Sequence, residues 1–253
     1  MGAPVAAPLA APLAILSALA QEQAGLLEQL EQRSSVCHAG RDFHCGLLAG
    51  KPVVLALARI GKVAAAATAA ALIERFGVRA IVFTGVAGGV GPGVCVGDVV
   101  LGTGFIQHDM DASPLFPRYQ IPLTGTSVYA ADAALHAQLH AACVQGLAGK
   151  NYDGRAVQVH QGLIASADRF VNGAHEVHAL MAAMAEHGYK PLAVEMEGAA
   201  VAQTCADYGV PFAAVRTISD RADDNSHVDF MQFIESTASR YAHDTMLSLV
   251  RAL

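Results

Sequence analysis

Acidic residues stand just beyond several apolar runs of this chain. Glu22 follows the run at 13–19, and Asp168 follows LIAS. Glu195 and Glu197 flank Met196 after PLAV, and Asp220 follows PFAAV and the segment Arg216-Thr217-Ile218-Ser219. If the runs are strands of an open α/β sheet, these carboxyls lie beyond the carboxyl ends, where such sheets bind ligands. A cleft lined by carboxyls is equipped to hold and transfer protons. Each residue also has a plainer reading. Glu195 and Glu197 suit the first turn of a helix, where acids favour the dipole, and Asp220 after Ser219 suits a cap or turn. The segment TGVAGGVG is rich in glycine but lacks GxGxxG spacing, so it reads as a tight turn or a close backbone approach and not as a dinucleotide fingerprint. His136 and His140 lie four apart without a further acidic ligand nearby, and they read as surface polar residues, as do His175 and His178.

The elements that must carry these residues alternate. Apolar runs at 13–19, 52–58, 79–85, 97–104, 156–166, 191–194 and 211–219 read as strands, several continuous enough to be covered on both faces. Segments 21–32, 60–77, 132–146, 174–188 and 197–209 read as helices, with Gly77 closing the second. The final 25 residues, from Asp229, carry apolar positions at helical spacing. Residues 105–125 hold three prolines and no period, and read as a long loop. The alternation predicts a three-layer α/β/α fold around a mixed, twisted sheet, as one domain from 13 to 253. Residues 1–12 read as a flexible Ala/Pro leader. No Lys or Arg precedes Arg33, so a secretory signal lacks its positive start, and prolines interrupt the apolar run.

Composition narrows the partners. In 253 residues, 53% are hydrophobic and 15% charged, enough for a large core. Net charge is −6 with no basic run, which argues against a nucleic-acid partner. No stretch is a clean transmembrane span. The five cysteines are odd in number and contain no CxxC, so neither a disulfide framework nor a zinc site is indicated, and a cytoplasmic setting is expected.

Seven segments carry more information together than apart: IGKVAAA (60–66), TGVAGG (84–89), VGDVV (96–100), HDMD (108–111), DRFVNG (168–173), VEMEGAAVA (194–202) and VRTISDRAD (215–223). In order and spacing they resemble the 5′-methylthioadenosine/S-adenosylhomocysteine nucleosidases, a family with the nucleoside-phosphorylase-like fold. The resemblance implies hydrolysis of the N-glycosidic bond of an adenine thionucleoside. Adenine leaves readily once its N7 is protonated, and Asp220 matches the family's purine acid, with Ser219 orienting it. Water then attacks a ribose of oxocarbenium character from the opposite face. Glu22 matches the residue that activates this water, with Arg216 as its support. The matching substrate-binding positions are Val86, Ala87, Gly88, Phe170, Val171, Glu195, Met196 and Glu197. Among them Phe170 stacks on adenine, the Val171 main chain reads its edge, and Glu197 accepts the ribose hydroxyls.

Two departures stand out. The family often has Ser where this chain has Val86, so a hydroxyl contact is absent there. The loop ASPLFPRYQIP also differs from the common version. In the family this loop closes over the 5′ group from a neighbouring subunit, which here assigns Leu115, Phe116 and Pro122 to a partner's pocket in a homodimer. Neither cofactor nor metal is implied, because water, an acid and a base suffice. Three rivals use the same fold: a purine nucleoside phosphorylase, a futalosine hydrolase, and a non-catalytic nucleoside-binding protein. Phosphate would need cationic donors; Arg59 is the one residue that favours it, and Glu22 opposes it.

Overall fold

The computed structural model describes residues 10–221, 233, 237 and 239–253. Most of the expected leader and the start of the expected C-terminal helix lie outside the described residues. The described chain begins with a buried strand, β1 (Leu13–Ser17), followed by α1 (Ala20–Glu28) and the antiparallel strands β2 (Glu31–His38), β3 (Arg41–Leu48) and β4 (Lys51–Leu57). Helix α2 (Lys62–Phe76) leads to β5 (Ala80–Gly89), β6 (Val99–Gln107) and the short β7 (Val128–Ala130). After α3 (Ala133–Gly146) come the two-residue strands β8 (Asn151–Tyr152) and β9 (Arg155–Ala156), then β10 (Val159–Ser166) and α4 (Ala174–Glu186). β11 (Pro191–Glu195), α5 (Gly198–Tyr208), β12 (Phe212–Asp220) and α6 (Ser239–Ala252) complete it.

The main sheet runs β11-β10-β6-β12-β5-β1-β4-β3-β2. Pairing is parallel between β1 and both β4 and β5, and antiparallel between β12 and β6, so the sheet is mixed. It also curls: β11 pairs with the end of β5 through Ala193↔Gly89 and Val194↔Gly88, closing part of the sheet on itself. Strand residues alternate between two cores, as the pleat requires. Ala14 and Leu16 pack with Ala65, Ala69 and Leu72 of α2 and Ala199 and Ala202 of α5. Leu13 and Ile15 pack toward Leu26 of α1, Leu139 of α3 and Met246 of α6. Burying each such large side chain contributes about 1.5–3 kcal/mol. These two cores, on opposite faces of one sheet, make the three layers.

Local sequence explains the helices that frame the site. In α2 the buried residues Ala65, Thr68, Ala69 and Leu72 recur at helical spacing, and Gly77 ends the helix with φ of 59°. Asp132 caps α3, its side chain accepting the Leu135 N–H at 2.9 Å.

Several sequence expectations are corrected. TGVAGG is strand and not turn, since β5 continues through Gly89. The first strand stops at Ser17, and Leu19 is already the N-cap of α1. The expected loop from 105 begins as strand, because β6 extends to Gln107. The strand expected over 156–166 starts at Val159. The β2–β3 hairpin has no counterpart among the strands read from sequence, because β2 is an exposed edge without apolar alternation.

Candidate active site

The carboxyl ends of β1, β5, β11 and β12 and the loop after β10 surround one cavity of about 380 Å³. That size suits a small molecule. Glu22, Val86, Ala87, Gly88, Phe170, Val171, Glu195, Met196, Glu197, Ser219 and Asp220 all line it. Residues from position 22 to 220 thus meet at one place, including both expected proton-transfer groups. Leu115, Phe116 and Pro122 do not line it, and Leu115 is 84% exposed.

Glu22 is held entirely by main chain. Its Oε2 accepts the N–H groups of Ala18 at 2.9 Å and Leu19 at 2.8 Å, and its Oε1 accepts that of Val86 at 3.1 Å. The Leu19 contact also satisfies an N–H at the start of α1. Position 86 therefore supports Glu22 through its backbone, whatever side chain stands there. Gly85 explains itself: a Cβ there would lie 3.1 Å from Glu22 Oε1. The carboxyl is 1% exposed, and burial pushes it above its ordinary 4.5, against the Leu19 N–H, the Arg216 charge and the Val86 and Ala18 N–H groups.

Asp220 ends β12, also buried, and its Oδ2 accepts the Ser219 hydroxyl at 2.8 Å. The strand is stitched from behind by the VGD segment: Ile218 N–H donates to the Asp98 carbonyl at 2.8 Å, and Gly97 N–H donates to the Ile218 carbonyl at 2.8 Å. Asp98 is itself fully buried and accepts Arg155 at 2.7 Å, His160 at 3.0 Å, and the Cys95 and Gln158 N–H groups at 3.0 Å each. Burial alone would raise its carboxyl, but these donors together lower it.

Arg216 differs from expectation. Its guanidinium pairs with Glu195 Oε2 at 2.7 Å and lies over the Phe83 ring, 4.0 Å from the centroid. It reaches Glu22 only through its charge, so its direct partner is Glu195. Glu195, expected to bind substrate, turns its carboxylate inward to that arginine, to Ser166, and to the N–H groups of Glu197 and Gly198. Four carboxyls thus line the cavity, and the guanidinium buried beside them is engaged by Glu195. Glu197 Oε1 accepts the Gly61 N–H at 2.9 Å. Burial first, then the neighbouring Glu195 charge, push Glu197 up to about 8.

Residues the sequence reading missed complete the rim. Ile60 lines the cavity, Gly61 holds Glu197, and Lys62 ties three motifs together. Its N–H donates to Asp168 at 2.7 Å, and its ammonium bonds Asp109 at 2.5 Å, while Asp109 accepts the Asp168 N–H at 3.0 Å. The segments IGK, HDMD and DRF are therefore one bonded assembly beside Phe170. Their position after strands was the available signal. Arg59 does not line the cavity; its guanidinium donates to the Gly40 carbonyl. Arg169 does line it but pairs with Glu176 at 2.8 Å. Among the described residues no three His, Cys, Asp or Glu side chains are grouped to hold a metal ion, and no helix is long and apolar enough to cross a membrane.

Comparison with known proteins agrees with this architecture. Residues 12–251 match the profile of the Phosphorylase superfamily. The 5′-methylthioadenosine/S-adenosylhomocysteine nucleosidase of Geobacillus thermodenitrificans is 36% identical over 237 residues, covering 93% of this chain and 94% of its own. The crystal structure of the Neisseria meningitidis nucleosidase of that name, in complex with methylthio-immucillin-A, superposes with a TM-score of 0.86 at 35% identity, covering 96% of this chain and all of its own. A futalosine hydrolase of Helicobacter pylori has a TM-score of 0.83 at 30% identity, covering 96% of this chain and 98% of its own.

Proposed function

The chain belongs to the phosphorylase superfamily and within it to the 5′-methylthioadenosine/S-adenosylhomocysteine nucleosidases, and from that premise we propose how its cavity performs the hydrolysis. The enzyme cleaves the N-glycosidic bond of methylthioadenosine and S-adenosylhomocysteine, giving adenine and the thioribose product. Asp220, oriented by Ser219, delivers a proton to N7 of adenine. Glu22 takes a proton from the water that attacks C1′ from the other side of the sugar. A raised carboxyl on a fixed main-chain cradle suits a base that must hold one geometry yet accept a proton. Phe170 stacks on adenine, the Val171 main chain meets its edge, Met196 packs against the ribose, and Glu197 accepts the ribose hydroxyls.

The observation that carries this reading is that Glu22 and Asp220, 198 positions apart in the chain, line one cavity. Water is favoured over phosphate because the cations that would hold an anion are engaged elsewhere: Arg216 with Glu195, Arg59 with Gly40, and Arg169 with Glu176. Water, an acid and a base complete the chemistry without a cofactor. We also propose a cytoplasmic homodimer serving methionine salvage. In it the loop carrying Leu115, Phe116 and Pro122 reaches across to cover the 5′-thio group in the other subunit; the exposure of Leu115 away from its own cavity supports this.

The similarity to a futalosine hydrolase keeps one second reading open to test. Adenine release from methylthioadenosine, followed with and without phosphate and beside futalosine, separates the cases. Phosphate-independent adenine release is expected. A strict phosphate requirement, or turnover of futalosine alone, overturns the assignment.

A further inference from the structure

Beneath the cavity lies a polar cluster whose members do not all face a ligand. Glu195 ends β11, and six donor contacts converge on its two oxygens. The Ser166 hydroxyl donates to Oε1. Gly198 N–H reaches Oε1 at 3.0 Å and Oε2 at 2.8 Å, and Glu197 N–H reaches Oε2 at 3.2 Å. Arg216 adds Nε at 3.3 Å and Nη2 at 2.7 Å, both to Oε2. A carboxylate offers about four lone-pair sites, so little acceptor capacity remains for a substrate. Ser166 Oγ in turn accepts the Ala199 N–H at 2.8 Å. The N–H groups of residues 197, 198 and 199, which no preceding helical carbonyl can satisfy, therefore all end on Glu195 or on the hydroxyl bonded to it. The fit is tight: a Cβ on Gly198 would lie 3.2 Å from both Glu195 oxygens.

We infer that Glu195 is a positioning residue, which places Glu197 against the ribose hydroxyls by holding the main chain of the β11–α5 turn, with Arg216 and Ser166 holding Glu195 in turn. The inference rests on the reading of Glu197 as the group that meets those hydroxyls. Two anchors then define the Glu197 side chain, this turn from below and the Gly61 N–H from the start of α2 above. The arrangement also explains why a buried arginine stands beside a base yet bonds another carboxylate. Without Arg216, the Glu195 charge would be uncompensated under the cavity.

A merely structural Glu195 and a positioning Glu195 differ in which substrate they affect. The test measures kcat/KM for methylthioadenosine and for its 2′,3′-dideoxy counterpart in wild type, E197A, E195Q and S166A, together with thermal midpoints. Misplacing a contacting group by about 1 Å can lower rates about 10²-fold. E195Q is therefore expected to lose about 10–100-fold on methylthioadenosine and much less on the dideoxy compound, tracking E197A. S166A keeps the Arg216 pair and is expected to show the same selectivity with a smaller loss on methylthioadenosine; it carries the test if E195Q is recovered unfolded. Equal losses on both substrates in E195Q and S166A, with E197A still selective, overturn the positioning role alone. Equal losses in E197A itself overturn the reading of Glu197 and the inference with it.

Discussion

Replacing Glu22 by glutamine separates chemistry from stability, because the structure assigns opposite sizes to the two effects. The amide has nearly the shape of the carboxyl, and its oxygen can keep the Ala18 and Leu19 N–H groups, now at 2.9 and 2.8 Å. Its NH2 then faces the Val86 N–H, which loses its acceptor at 3.1 Å. One unsatisfied buried donor costs about 1–3 kcal/mol. Against this, the mutation removes a charge that burial disfavours, the reason the carboxyl titrates above 4.5. The two partly offset, so the folded protein is expected to change by no more than about 2 kcal/mol. Catalysis has no such offset. An amide cannot take the proton from water, and losing a general base lowers rates about 10²–10⁴-fold, or about 3–5 kcal/mol of barrier. Adenine release at saturating methylthioadenosine, read beside the thermal midpoint, measures both. A Glu22→Gln variant that folds normally and retains kcat within about tenfold of wild type refutes the role of Glu22.

Further outcomes follow from neighbouring groups. Asp220→Asn should keep the fold and lower kcat about 10²–10⁴-fold, measured as adenine release; a smaller effect than that of Ser219→Ala would reverse their roles. Glu197, pushed up to about 8, holds a proton that the unfolded chain releases near 4.5. Its contribution is thus complete below pH 4.5 and lost as pH rises toward 8, on the order of a few kcal/mol. Melting midpoints of wild type should fall across that window more steeply than those of Glu197→Gln, and parallel curves would contradict the assignment. Asp98 behaves oppositely: its lowered carboxyl stabilises above about pH 4, and that stabilisation is lost as pH falls further. Asp98→Asn should lower stability at neutral pH by about 1–3 kcal/mol, checked by denaturant titration, with little loss if the cluster is dispensable.

What sequence reveals here follows from what repeats. The alternation of buried runs and helices was legible because several runs, β1, β5 and β12 among them, are buried almost throughout, and the rule that ligands gather beyond strand ends led to Glu22, Glu197 and Asp220. The TGVAGG segment misleads, since glycines suggest a turn. Here they serve closeness within a strand: Gly85 makes room for Glu22, and Gly89 lies where a Cβ would come within 2.9 Å of Ile218. The β2–β3 hairpin escapes because an edge strand with solvent on its faces carries no apolar period. The partner of Arg216 was not legible either. Its bond to Glu195 spans 21 positions and depends on how β11 and β12 sit across the curled sheet.

A crystal structure with a non-hydrolysable 5′-thio adenosine analogue tests the two-sided mechanism most directly. The Asp220 carboxyl is expected within about 2.6–3.2 Å of the purine N7, with an ordered water between Glu22 and C1′ on the far side of the sugar. An analogue bound with both carboxyls on the same side of the ribose, or with Asp220 turned from the base, would contradict it.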